Sequence, residues 1–312
     1  AMADGRTLFI PYGATNFGVF NSATNQFSAV TPSGAGLYVA SGWGNGLYFG
    51  GVQVPSGNIV CIPHVSGNVG MYDPEGLGFS NILAHGCPAG SFAGGVLDGS
   101  SNVTMIPYNS FNVSAYNSST STFANMVSIS NPAPGFTGGV LLPTGNVICI
   151  PFKNSNVVQY SPTALTFTNT TITSGFFGGV LAPNGNVVCV PYTAANVVVL
   201  NPSGNPPHTF ANIAVRGTGG GGFAGGVLLP SGNIVMTPFT NSNIGMLDPA
   251  ALTYSNIVPQ GGAPQANSYV GASLTPDGRV VFCPTQSTNV MVLTTTALPS
   301  AEYRLVPYIN KL

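Results

Sequence analysis

One sentence is written seven times in this chain. A Pro stands at Pro11, Pro63, Pro107, Pro151, Pro191, Pro238 and Pro284, at intervals of 52, 44, 44, 40, 47 and 46 residues. Five residues after each comes an Asn: Asn16, Asn68, Asn112, Asn156, Asn196, Asn243 and Asn289. Before six of the seven lies a Gly-rich run opened by an aromatic, "YFGGVQV", "FAGGVLD", "FTGGVLL", "FFGGVLA", "FAGGVLL" and "YVGASLT", with Tyr48, Phe92, Phe136, Phe176, Phe223 and Tyr269 in the lead. Self-similarity at about 45 residues is the signature of a repeat architecture, because one unit cannot bury its own faces.

Each unit reads as four short strands. Strand a is the "GGVLLP" segment. A "PSGN", "PTGN", "PNGN" or "PDGR" turn follows, in which Pro presets φ and Gly supplies φ > 0. Strand b, such as "NVVCVP", is β-branched and stops at the Pro, which has no ladder donor. Strand c begins at the repeated Asn and breaks at a "DP" or "NP" turn. Strand d is "TYSNIV", "TFANMV" or "GFSNIL". Nothing has helical period. Four antiparallel strands at this spacing match a propeller blade, so we expect an all-β, seven-bladed propeller forming one domain over residues 1–312. The first unit starts at "DGRTLFIP" and lacks strand a. The tail "EYRLVPYINKL" is expected to supply a last strand d and then the missing strand, closing the ring between the N- and C-terminal segments.

Composition narrows the function. Charged residues are 4% of the 312, the net charge is −1, and Lys plus Arg number six. That leaves no electrostatic footprint for nucleic acid and no polybasic patch for anionic lipid. No apolar run approaches the ~20 residues of a membrane helix, and no secretory signal is visible at the start. Of five Cys, Cys61, Cys149 and Cys189 stand two residues before a Pro, where other units place Phe9, Met105, Met236 and Phe282. They read as small hydrophobes with free thiols. Cys87 and Cys283 complete the odd count, which does not make a disulfide framework.

The titratable groups are few. Asp73 and Asp248 belong to the "DP" turns, Asp277 and Asp98 to the a–b turns, and Asp4 precedes "GR" as Asp277 does. Glu75, Glu302, His64, His85 and His208 remain. His85 with Cys87 is a weak nucleophile–base signal without a third member, and no metal spacing, "GxSxG", "HExxH" or P-loop occurs. The glycine-rich "RGTGGGGF" precedes a strand rather than a helix. No catalytic residue, metal or cofactor is expected.

The position after the Pro carries Tyr12, His64, Tyr108, Phe152, Tyr192 and Phe239, with the sole Trp, Trp43, in a variable d–a connection. These seven residues are expected to stud the rim that holds the b–c loops and d–a connections. Aromatic and amide groups with little charge suit a neutral, hydroxyl-rich ligand such as a glycan, or docking to another protein. The repeated Asn reads as an Asx-type lock of the b–c loop.

The motif "GGVLLPxGNVxxxPYxxxNVxxYxP" resembles kelch-like or propeller repeat proteins of tailed bacteriophages, over nearly the whole chain. The kelch Trp has no counterpart in these repeats. The resemblance implies a tail, fibre, collar or decoration component of the virion, made in the host cytoplasm, that binds a host-surface glycan or receptor or neighbouring virion proteins, with homo-oligomers possible. The competing expectation is a propeller-based enzyme such as a lyase or glycan hydrolase, which needs paired carboxylates or a metal cluster.

Overall fold

The computed structural model describes residues 1–2, 4–31, 33–34, 46–129, 135–203, 206–214, 222–260, 264 and 266–294. They form the all-β, seven-bladed propeller that the repeat implies, and no helix occurs among them. Blade 1 shows Thr7–Phe9, Phe17–Asn21 and Gln26–Val30, which are its strands b, c and d. Blade 2 runs Tyr48–Gln53, Ile59–Pro63, Asn68–Asp73 and Gly78–Ala84, with Ser33–Gly34 added in parallel on the last. Blade 3 is Phe92–Leu97, Asn102–Pro107, Asn112–Asn117 and Thr122–Ser128; blade 4 is Phe136–Leu141, Val147–Pro151, Asn156–Ser161 and Thr166–Thr171. Blade 5 is Phe176–Leu181, Val187–Pro191, Asn196–Asn201 and Thr209–Ala214; blade 6 is Phe223–Leu228, Ile234–Pro238, Ile244–Asp248 and Thr253–Ile257. Blade 7 shows Tyr269–Leu274, Arg279–Pro284 and Met291–Thr294. The tail expected to close the ring, and Trp43, lie outside the described residues.

The local chemistry explains the strand ends. In the a–b turn of blade 4, Leu142 N–H donates to Asn146 O at 2.8 Å and Gly145 N–H to Leu142 O at 2.9 Å, with Gly145 at φ +83°. That is a type I turn closed by a residue in the left-handed region. The c–d turns are Asx turns: Asp248 Oδ1 accepts from Ala250 N and Ala251 N, both at 2.9 Å, as Asn117 Oδ1 does from Ser119 and Thr120. The expected turn roles of Asp73, Asp98 and Asp248 are thus filled by hydrogen bonds. The b–c lock sits two residues earlier than expected. Ser66, Ser110, Asn154, Asn241 and Ser287 accept the backbone N–H of the repeated Asn at 2.8–3.1 Å. The Asn side chain meets the strand-d side in two places: Asn16 Oδ1 accepts from Thr31 Oγ1, just past strand d, and Asn156 Oδ1 from Thr171 Oγ1, both at 2.9 Å.

Contacts divide the chain into two compact units: Ala1–Cys149 with Gln159–Phe167, and Ile150–Val158 with the described residues from Thr168 on. In the first, Phe92 opens strand a of blade 3 and is packed with Val60, Ile62 and Val69 of blade 2 and Val103 and Met105 of its own blade. Between blades 1 and 2, Phe17 stacks on Tyr72 with centroids 4.4 Å apart, beside Tyr48, Phe79 and Met2. In the second unit Phe223 of blade 6 fills the same place against Val188, Val190 and Val197 of blade 5. All six aromatics that open strand a are buried, each contributing about 1.5–3 kcal/mol. The leading aromatic is the bolt between neighbouring blades.

Candidate functional site

Strand b ends at the Pro, and the next residue is held by backbone bonds on both sides. Tyr108 N–H donates to Ser91 O (2.7 Å), Tyr192 N–H to Gly175 O (2.8 Å) and Phe239 N–H to Gly222 O (2.8 Å), each within its own blade. The carbonyl of the same residue then accepts from the following blade. His64 O takes Gly90 N (2.6 Å), Phe152 O takes Gly175 N (2.8 Å), Tyr192 O takes Gly222 N (2.7 Å) and Phe239 O takes Asn267 N (2.6 Å). This relay fixes the spacing of the side chains it carries.

Their rings consequently touch from blade to blade. In the first unit the row runs Tyr12, His64, Tyr108, with centroids 5.9 and 5.4 Å apart. In the second it runs Phe152, Tyr192, Phe239, at 5.5 and 5.4 Å. Tyr12, Tyr108, Phe152 and Tyr192 are half-buried, whereas His64 and Phe239 are buried, with 6% and 5% of their surface exposed. Six of the seven expected rim residues are therefore gathered into two rows of three.

Two further rings belong to these rows and were not expected from the sequence. Phe49 lies 5.4 Å from Tyr12 and 5.6 Å from His64. Phe177 lies 5.9 Å from Phe152 and 5.5 Å from Tyr192. Both follow the aromatic that opens strand a. The doubled aromatic in "YFGG" and "FFGG" was the signal, against "FAGG" and "FTGG" elsewhere.

The rings of His64 and His85 are committed to structure. His64 Nδ1 lies 2.7 Å from Phe92 O, an acceptor only, so Nδ1 carries the proton. Burial pushes its pKa down, opposed by that hydrogen bond, and the ring is neutral near pH 7. His85 Nε2 donates to Ser66 O at 2.8 Å and its Nδ1 accepts from Cys87 N at 3.1 Å. Cys87 Sγ points to His85 O rather than to the ring, at 3.6 Å, so the pair is not a nucleophile and base. His208 is buried, its backbone N–H donates to Thr170 Oγ1 at 2.9 Å, and burial lowers its pKa.

The carboxylates are similarly occupied. Asp4 and Asp277 pair with Arg6 and Arg279 in matching turns of blades 1 and 7, each at 2.6 Å. Glu75 is exposed in the Asp73 turn, and Glu302 lies outside the described residues. Among the described residues no three His, Cys, Asp or Glu side chains gather as a metal site. All five thiols are free, and burial pushes those of Cys149 and Cys189 up to about 12.

No protein-family profile matches this sequence, and no curated protein matches it. Solved structures do. The chain is similar to a virginiamycin B lyase from Staphylococcus aureus with quinupristin, at 11% identity and TM-score 0.74, over 91% of this chain and 90% of that one. It is similar to Kuenenia stuttgartiensis hydrazine synthase, at 13% identity and TM-score 0.70, over 95% and 94%. A putative 6-phosphogluconolactonase from Bacteroides uniformis aligns at 14% identity and TM-score 0.62, over 89% and 86%. At such identities the likeness is one of fold, which hosts many functions.

Proposed function

We propose that this protein is a non-enzymatic binding module whose aromatic rows take a neutral, hydroxyl-rich ligand, a cell-surface glycan, and that it serves a tailed-phage virion in host attachment. The observation that carries the reading is the pair of contiguous ring rows, partly exposed at Tyr12, Tyr108, Phe152 and Tyr192 and held at fixed spacing by a backbone relay. Ring faces offer a flat apolar surface for the C–H side of a sugar, and hydroxyl or amide neighbours can meet its polar edge. Exposed Asn109, Thr193 and Thr240 each follow a row residue in the chain. The neighbouring propellers include proteins described as lyases, but here His64, His85 and the turn carboxylates are engaged in holding the scaffold. The virion assignment is supported by the resemblance of the repeat motif.

Labelled protein on a glycan array and on candidate bacterial cells tests the reading. The expected result is binding to uncharged glycans, weakened about tenfold or more by the double variant Tyr108→Ala, Tyr192→Ala, since an aromatic contact that matters costs more than ~1 kcal/mol on truncation. A folded protein that binds no glycan and no cell overturns it.

A further inference from the structure

The rows are not uniform, and their departure from uniformity is repeated. In the first unit Tyr12 and Phe49 meet almost at right angles, 5.4 Å apart with 85° between planes, and His64 closes the corner. In the second, Phe152 and Phe177 do the same at 5.9 Å and 89°, and Tyr192 closes that corner. The three contributing positions are equivalent in both: the residue after the Pro in one blade, the residue after the Pro in the next, and the residue after that blade's leading strand-a aromatic.

The fold does not require an aromatic at this last position. Blades 3, 4, 6 and 7 place Ala93, Thr137, Ala224 and Val270 there and keep the same strand a. The backbone relay is likewise present at Gly90 and Gly222, in blades that carry Ala beside the leading Phe. Phe49 and Phe177 nonetheless remain partly exposed, where an apolar ring contributes least to folding. Within two residues of the six rings the only Lys, Arg, Asp or Glu is Lys153. A perpendicular pair of rings presents one face and one edge, which can meet the C–H face and the rim of a small, uncharged sugar ring.

Resting on the glycan reading above, we infer that each chain carries two equivalent sugar-ring sites, the Tyr12–Phe49–His64 corner and the Phe152–Phe177–Tyr192 corner, so that one molecule engages two neutral pyranose units at once. Each corner lies within a single compact unit and is complete without the other. A single sugar ring held by two aromatic contacts binds weakly, in the millimolar range, and useful affinity comes from many such contacts on a multivalent ligand.

The test is a titration of Phe-labelled protein with methyl pyranosides of glucose, galactose, mannose and N-acetylglucosamine, followed in aromatic NMR spectra. Phe49→Ala and Phe177→Ala identify the two resonances, and Ala is tolerated at the matching positions of blades 3 and 6; thermal melting verifies that the variants fold. Phe49→Trp and Phe177→Trp, which keep a ring, retain both sites. The expected result is that both Phe signals move with one sugar, and that each Ala variant removes one site while leaving the other's response unchanged. One shifting signal, or loss of both responses in one variant, overturns the two-site inference. If neither signal moves while the array shows glycan binding, the corners are wrong and the broader reading stands. If neither experiment shows binding, both fail.

Discussion

Thr104 is out of place in its strand. It stands three residues before Pro107, and at the same distance from the other six Pro stand Leu8, Val60, Ile148, Val188, Val235 and Val281. All of these are buried, and so is Thr104, whose hydroxyl has no hydrogen-bond partner. A buried orphan hydroxyl costs about 1–3 kcal/mol. Thr104→Val keeps the shape and removes that cost, so it is expected to stabilise the protein by about 1–2 kcal/mol, read as a higher urea midpoint at unchanged slope. A lower midpoint shows that the hydroxyl is satisfied after all. The cysteines were legible at this scale by the same logic of equivalent positions. Cys61, Cys149 and Cys189 fill an apolar slot in the sequence and lie fully buried in the fold. Phe49 and Phe177 were not, because register was set from Pro and Asn. A residue that departs from the repeat is invisible to an argument made from what repeats.

At the scale of the strand, the Gly pair does two jobs. In strand a of blade 3 the register to strand b slips between Met105–Gly95 and Pro107–Phe92, so an extra residue bulges there. Strands a of blades 2, 5, 6 and 7 slip at the same place. The first Gly of the pair is the bulged residue: Gly94 has φ +90°, and a Cβ on it would sit 2.9 Å from Gly138 Cα in the next blade. The Gly pair was plain in the sequence as a repeat marker; the bulge was not legible, because it depends on the partner strand's register. Gly57, in an a–b turn, has nearly the same φ, +89°, but open space around its Cβ position. The two separate conformation from crowding. Gly57→Ala pays only for the left-handed backbone, ~1–2 kcal/mol. Gly94→Ala adds a clash with backbone that cannot move aside, and is expected to cost at least ~3 kcal/mol. Equal losses in denaturant melts would show that crowding between blades plays no part.

For the whole molecule, low charge decides how stability responds to the solution. The seven-blade period was plain in the sequence because turns and strand ends are local chemistry, whereas function was not, because the blades repeat scaffold and the rings that differ are few. The ion pairs Arg6–Asp4 and Arg279–Asp277 are both partly exposed, and such pairs contribute at most ~1 kcal/mol each. Melting should therefore change little between low and high salt. It should change with pH for another reason. His64 and His208 are buried, and burial lowers both pKa values from 6.5. A base whose folded pKa is depressed takes up protons more readily unfolded, so its contribution is whole above ~6.5 and declines as pH falls from there towards the folded value. Asp277 acts in the same direction but later. The Arg279 hydrogen bond holds its carboxyl below the ordinary value against the opposing effect of burial, so its support fades only below about pH 4. The melting temperature should thus be flat between pH 7 and about 8, fall between 6.5 and 5, and fall again below 4, while on the alkaline side it should decline towards pH 9 because the buried thiols of Cys149 and Cys189 ionise more readily once unfolded. His64→Phe, the residue type of Phe152 and Phe239, gives up the bond to Phe92 O but removes one of the two proton-linked losses. Its melting temperature should fall less than the parent's between pH 7 and 5. A parallel decline in the two proteins would show that His64 charges as easily in the folded state as in the unfolded chain.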